Sequence, residues 1–290
     1  MNSYENRDIN SQEFDRDAWL KQKQEDRDVA FGIVADTIQG IKKDGKQLQQ
    51  YLDVQSRFSK YSVSNVMLIS AQMPQATRLG DFNYWKEAGE YIKKGEVGIL
   101  ILEPGKEYKR KDGSTGVNYN TKKVFDISQT NAQQQESPEI SRDSRLLMKA
   151  LVSNAPCEIK AQADLADTEN TLAYYDASDK TLYVAKGHSY EELFPSVARE
   201  IAHAYMDKDG YDRTAGENIA YCAAYIICKR SGIDAAGFRF DKVTEAFSSM
   251  DDKSIKAELG RIRDAANSIC ADMDRMFGKQ EKDRSRDDAR

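Results

Sequence analysis

The stretch FPSVAREIAHAYMDKDG, residues 194–210, carries Arg199, Glu200 and His203 in the order R-E-x-x-H. The zinc-peptidase pattern H-E-x-x-H sets two histidines four residues apart on one helix face, with the glutamate as general base. Glu200 and His203 stand where that pattern needs them, and Arg199 stands where the first histidine would be. Glu217, fourteen residues after His203, opens ENIAYCAAYIICKRSGID and occupies the usual place of a third ligand. Arginine stays protonated and offers no lone pair to a metal. His203 and Glu217 therefore supply two ligands where catalytic zinc takes about three. The only other histidine, His188 in GHSYEELF, lies eleven residues upstream of Arg199. Three arrangements are open. Arg199 fills the metal position and pairs with Glu200 or Glu217; or His203 and Glu217 keep zinc through an unusual ligand set, with Glu200 as base; or the helix never met a metal. The first is adopted here, with no cofactor, and zinc is the alternative.

A second set of residues suits another chemistry. Residues 57–95 interleave Arg57, Phe58, Lys60, Tyr61, Arg78, Phe82, Tyr84, Trp85, Lys86, Tyr91, Lys93 and Lys94, with Lys122 and Lys123 further on. Single-strand binders need cations that follow the backbone and aromatic faces on which bases stack. Aromatics at helical spacing are more often core, and Phe58 and Trp85 are expected to be at least partly so. Asn65 and Gln72, seven residues apart on one helical face, either bond bases or satisfy backbone. The chain carries a net charge of -5, yet residues 51–125 hold 12 Lys/Arg against 8 Asp/Glu. That asymmetry bears on a nucleic-acid partner more than the total does.

These residues need elements to hold them. The apolar spacing from Asp17 predicts a helix, with KKDGK (42–46) as its stop and Gly45 at its end. Helices follow through LQQYLDVQSRFSKYS and SNVMLISAQ, the second ended by Pro74. VGILILEP (97–104) reads as a buried strand and KKVFDISQT (122–130) as its partner, joined by a long basic loop with Lys106, Lys109, Arg110 and Lys111. In the second half a helix near 144–153 precedes a hairpin in TLAYYDASDKTLYVA (171–185). Then come the R-E-x-x-H helix, a helix over about 215–231 ended by Gly232, and a charged amphipathic helix near 253–277. The class is α+β, with helices and a β-hairpin sheet in the first domain and a zincin-like helical domain with a small hairpin in the second.

The chain, of 290 residues, is long enough for two cores. The sequence is expected to divide into a disordered lead (1–16), a first domain (17–130), a Gln-containing linker (131–144), a second domain (145–277) and a charged tail (278–290). No apolar run approaches the roughly 20 residues that cross a bilayer, and no secretory leader is legible. Cys157, Cys222, Cys228 and Cys270 form no C-x-x-C pair, as expected of reduced thiols in a cytoplasmic protein.

RFSKYSVSNVMLISAQMPQATRLGDFNYWKEAGEYIKKGEVGILILEP resembles the ArdC-like antirestriction family of conjugative plasmids and integrative elements. The likeness is carried by Tyr61, Ser62, Asn65, Gln72, Pro74, Trp85, Lys94, Gly95 and Glu96, by VFDISQT (124–130), and by REIAHAYM with GENIAYCAAYIICKRSGID. It covers roughly residues 45–130 and 170–235. The resemblance implies a single-stranded-DNA-binding first domain and a zinc-metallopeptidase-like second domain. Its DNA-binding candidates are Arg57, Lys60, Tyr61, Asn65, Gln72, Arg78, Trp85, Lys93, Lys94, Lys122 and Lys123. At Arg199 the family usually has a histidine, which sets the peptidase activity apart from the DNA-binding half. The expected function is a DNA-binding, antirestriction-like accessory protein of a mobile element with an inactive peptidase-like domain. An active zinc peptidase and a module that holds a protein partner in the cleft are the alternatives.

Overall fold

A computed structural model describes residues 15–132, 143–163, 165, 172–208 and 210–287. Helix α1 (Arg16–Ile41) starts where the Asp15 carboxylate accepts from the amides of Asp17 and Ala18. The expected lead therefore ends sooner, because Asp15 and Arg16 already belong to the cap and the helix; residues 1–14 lie outside the described residues. Ala30, Val34, Ile38 and Ile41 bury one side of the second half of α1. Helices α2 (Gly45–Arg57) and α3 (Val63–Gln72) follow. Gly45 opens α2 instead of closing α1. A side chain there would meet the backbone of Phe240 and Asp241 at 3.2 Å, so this close approach requires glycine.

The first sheet has the order β1-β3-β2, from β1 (Leu79–Gly80), β2 (Ile99–Lys109) and β3 (Thr115–Asp126), with α4 (Phe82–Glu87) between β1 and β2. Antiparallel pairing runs from Ile99↔Val124 to Lys109↔Thr115. The long basic loop expected here is mostly strand: Lys106 and Lys109 lie in β2, and only residues 110–114 turn. A two-stranded ribbon satisfies its peptide groups across the pair while water takes polar side chains on both faces, so no apolar alternation marks it.

β2 is the outer strand of that sheet, and part of its free edge is sealed by side chains. Asn65 donates to Leu102 O and accepts from Leu102 N, both at 2.8 Å. Gln72 does the same for Leu100, both at 2.9 Å. Two carboxamides thus imitate a neighbouring strand and block further pairing.

The second half begins with α5 (Ser144–Ser153) and a sheet of order β4-β6-β5. Strands β5 (Ala173–Asp176) and β6 (Thr181–Ala185) form the expected hairpin. Strand β4 (Glu158–Gln162) joins β6 in parallel; its five residues are all exposed, so no buried alternation announced it. Helices α6 (Tyr190–Met206), α7 (Arg213–Ser231), α8 (Asp241–Ser248) and α9 (Asp252–Asp287) complete the chain. α7 ends at Gly232 in the left-handed conformation, φ 70°. α9 runs ten residues past the expected end, through most of the predicted tail.

The fold is α+β, as expected, and the two sheets lie in separate halves of the chain. Most of the predicted linker, residues 133–142, is outside the described residues. The halves share one buried apolar cluster that includes Leu52 and Ile69 from the first and Ile226, Ile262 and Met273 from the second. Polar bonds cross the same boundary. Tyr225 donates to Asp53 at 2.7 Å, Asn267 to Ser59 O at 3.0 Å and Lys42 to Met250 O at 2.7 Å.

Candidate functional site

The R-E-x-x-H segment lies on α6, which a capping box between Ser189 and Glu192 starts. Leu193, Val197 and Ile201 form a buried stripe along α6, and His203 is fully buried beside it. α7 begins at the Asp212 cap and passes close to α6. Gly216 makes that possible: a Cβ there would come within 3.2 Å of Met206 and 3.7 Å of the His203 ring. This approach places Glu217 between Arg199 and His203.

Four side chains form a line. The Arg199 guanidinium contacts Glu217 Oε1. Glu217 Oε2 lies 3.3 Å from His203 Nε2, and Tyr211 Oη lies 2.8 Å from His203 Nδ1. With the phenol donating to Nδ1, the imidazole carries its proton on Nε2 and donates it to the carboxylate. Burial alone would raise the Glu217 carboxyl, but the hydrogen bonds from His203 and Arg199 and the charge of Arg199 hold it down at about 2.

Glu200, the base only in the alternative active-zinc reading, points away from His203 and Glu217. Its carboxylate accepts from Tyr175 N and from Arg213 Nη2, each at 2.8 Å, and its side chain is 3% exposed. The Arg213 guanidinium also reaches Tyr175 O at 3.3 Å and stacks over the Tyr174 ring. Glu200 thus clamps α6 to β5 and to the start of α7. A base must face the group that it deprotonates, and this one faces the sheet.

The residues present do not fit a catalytic metal. Of the two predicted ligands, Glu217 is already engaged by a fixed cation, and Arg199 supplies no lone pair. Among the described residues no group of three His, Cys, Asp or Glu side chains is arranged to hold a metal ion. His188 stays outside the cluster, 3.8 Å from Glu192. Tyr211 and Arg213 were not anticipated from the sequence. Their only signal is their place in the cap of α7, where YDRT precedes the glutamate.

The DNA-binding candidates divide. Trp85 is 1% exposed, with Nε1 donating to Phe125 O at 3.0 Å, so its face is closed to bases. Phe58 is buried too, as its spacing suggested. The amides of Asn65 and Gln72 are spent on β2, which favours the backbone reading of that pair over base contact. Lys122 pairs with Asp81 at 2.5 Å, Lys93 donates to Ser128 O, and Arg57 contacts Pro74 O. Lys60, Lys94 and Lys123 are exposed, and Tyr61 is half-buried. Arg78, also exposed, bonds the Tyr84 hydroxyl and lies over the Tyr84 ring. Exposed rings at Phe82 (62%) and Tyr91 (66%) offer the open faces that Trp85 does not.

Residues 28–150 match the family model of the N-terminal domain of anti-restriction factor ArdC. An uncharacterized protein of Bacillus anthracis is 25% identical over 317 residues; the match takes in 91% of this chain and 54% of that protein. The chain therefore spans about half the length of that curated relative. The fold is similar to the metal-free crystal structure of antirestriction protein ArdC from plasmid R388, with TM-score 0.52 and 17% identity, covering 74% of this chain and 86% of that one. The Mn(II)-bound structure of the same plasmid protein gives TM-score 0.52 and 19% identity, covering 77% and 97%. No described helix is long and apolar enough to cross a membrane. Residues 28–150 thus match the N-terminal domain of anti-restriction factor ArdC, and the fold of the chain is similar to that of the R388 protein.

Proposed function

We propose that this protein binds single-stranded DNA through its first half and that its second half is a peptidase-like scaffold working without a metal. In that role it would shield incoming single strands of a mobile element. The observation that carries the metal-free reading is the contact of Arg199 with Glu217 beside His203. The guanidinium stands where a first metal ligand would stand and gives the carboxylate a positive partner. The R388 protein is described with Mn(II) bound; this chain presents two donor groups, His203 and Glu217, with the cation of Arg199 beside them. DNA binding is supported by the ArdC match over residues 28–150, by exposed Lys60, Arg78, Lys94 and Lys123, and by the exposed rings of Phe82 and Tyr91 in the same half. Phosphates would take the cations and bases the rings, with little sequence preference.

A second reading, a cleft that holds a peptide without cutting it, rests on one feature. A cavity of about 220 Å³ beside Arg199, lined by Pro195, Tyr221 and Phe238, would take a side chain of such a peptide. Arg199 Nε is buried there without a hydrogen-bond partner.

Two measurements on one preparation test the proposal. A length series of single-stranded oligonucleotides, read by fluorescence anisotropy at two salt concentrations, should show affinity falling with salt by a slope of about 0.7 per phosphate contact. Absence of binding at low salt would remove the DNA half. Elemental analysis should find no stoichiometric zinc or manganese, and a metal that is lost on His203→Ala would remove the metal-free half.

A further inference from the structure

The two halves meet along a groove between the α2–α3 connection and α9, with Arg230 near the end of α7 as its floor. Arg230 Nε donates to Ser56 O at 3.0 Å, and Nη2 to Asn267 Oδ1 at 2.8 Å and Gln55 O at 3.5 Å. All three acceptors are uncharged, and the guanidinium joins no ion pair among the described residues. A half-buried cation with neutral partners retains a full positive charge that an anion would offset.

On one side of Arg230 the groove encloses about 600 Å³ and is bordered by Lys60, Tyr61, Arg263 and Asn267. Asp264 and Asp274 also line it, and Asp264 pairs with Arg263 at 2.8 Å. Three cations therefore face two carboxylates, and among the described residues Lys60 and Arg230 join no ion pair. On the other side a cavity of about 260 Å³ is walled by Leu147, Met273 and Phe277 with the hydroxyls of Ser56 and Ser231. A charged floor between an aromatic rim and an apolar recess matches one nucleotide unit, with its phosphate at the floor and its base at a wall. The Tyr61 ring packs edge-on against Phe58 at 5.5 Å and feels the charge of Lys122 on β3.

We infer that the groove seats a phosphodiester and an adjacent base of single-stranded DNA, so that a bound strand crosses from the first half onto α9. This rests on the proposal that the first half binds single strands. It assigns the second half a direct share in that binding, through Arg230, Arg263 and Asn267.

The test uses the full chain and an oligothymidine in which single positions carry 5-iododeoxyuridine. Irradiation should cross-link the strand to peptides that contain Tyr61 or residues 262–277. Lys60→Gln and Arg263→Gln, each checked for an unchanged melting temperature, should weaken binding several-fold. Each should also lower the salt slope by about 0.7. Lys111→Gln, at the hairpin turn, should leave the groove cross-links in place. Tight binding with cross-links confined to residues 78–123, and no effect of the two groove variants, would overturn the groove assignment while sparing the DNA-binding reading. No binding to any oligonucleotide at low salt would overturn both. Equal affinity for duplex DNA, weakened by the same variants, would overturn the assignment of a base to the groove.

Discussion

Replacing Glu217 by Gln removes the charge that Arg199 and His203 share and keeps the shape of the side chain. In the folded protein burial would raise this carboxyl, but its two partners bring it from 4.5 to about 2. At about 1.36 kcal/mol per pH unit, that difference corresponds to about 3.4 kcal/mol. The side chain is 34% exposed, and solvent screening reduces the part felt by the fold to about 1–2 kcal/mol. The folded value lies below the unfolded one. The contribution is therefore complete above about pH 4.5 and is lost as pH falls through about 2. Urea unfolding at about pH 7 should show Glu217→Gln less stable than the parent by about 1–2 kcal/mol, and the gap should narrow at about pH 3. In an Arg199→Gln background the same substitution should cost less, because half of the pairing is already gone. Equal stability at neutral pH, or a gap of one size at both pH values, would refute the argument that this carboxylate is held by its two partners.

Two other outcomes follow from the architecture. Asn65→Ala and Gln72→Ala each leave two peptide groups of β2 without partners, so each should lower stability by about 1–3 kcal/mol, measured by urea unfolding. The folded variants should bind single-stranded DNA within about twofold of the parent; lost DNA affinity at unchanged stability would return these amides to the DNA-binding face. A chain nicked once within residues 133–142 should unfold in a single transition with both fragments eluting together, because the two halves share one buried cluster. Two separated melting transitions would show independent cores.

The helices and the two hairpins were legible because their apolar residues recur at fixed periods, as in Leu193, Val197 and Ile201 of α6. Strand β4 was not, since EIKAQ is exposed throughout and pairs through its backbone alone. Gly45 was misplaced because a glycine at a helix boundary reads as a stop, whereas here it serves contact with residues 240–241, nearly two hundred residues away. At the candidate site, spacing put Arg199, His203 and Glu217 together correctly, because i,i+4 on one helix and the first turns of the next are local facts. The orientation of Glu200 was beyond that logic. Residue 200 adjoins residue 199 in sequence but projects about 100° away around the helix, and what it meets there depends on Tyr175 and Arg213 from other elements. Asn65 and Gln72 were recognised as a pair on one face, yet their partner is a strand edge that no local pattern reveals.

The charge at the centre of the site bears on whether a metal could coexist with Arg199. Arg199 and Glu217 form a neutral pair that leaves His203 hydrogen-bonded on both ring nitrogens. A dication entering about 4 Å from the guanidinium would meet a repulsion of up to about 8 kcal/mol at an effective dielectric near 20. It would also have to break the carboxylate from its present partner and displace the hydrogen bond between His203 Nε2 and Glu217. Each requirement removes affinity from a site that offers only two donors. The framework itself does not depend on such an ion. Glu200 with Arg213, and Asp207 with Lys180 and Tyr175, already tie α6 to β5, to the β5–β6 turn and to the start of α7. An ion pair as enclosed as that of Glu200 is costly to break from one side, by about 3–5 kcal/mol, so the scaffold is fixed by charges that lie behind the helix. A helix held from behind keeps its place whatever occupies its front, so α6 needs no ion beside Arg199 to stay where it is.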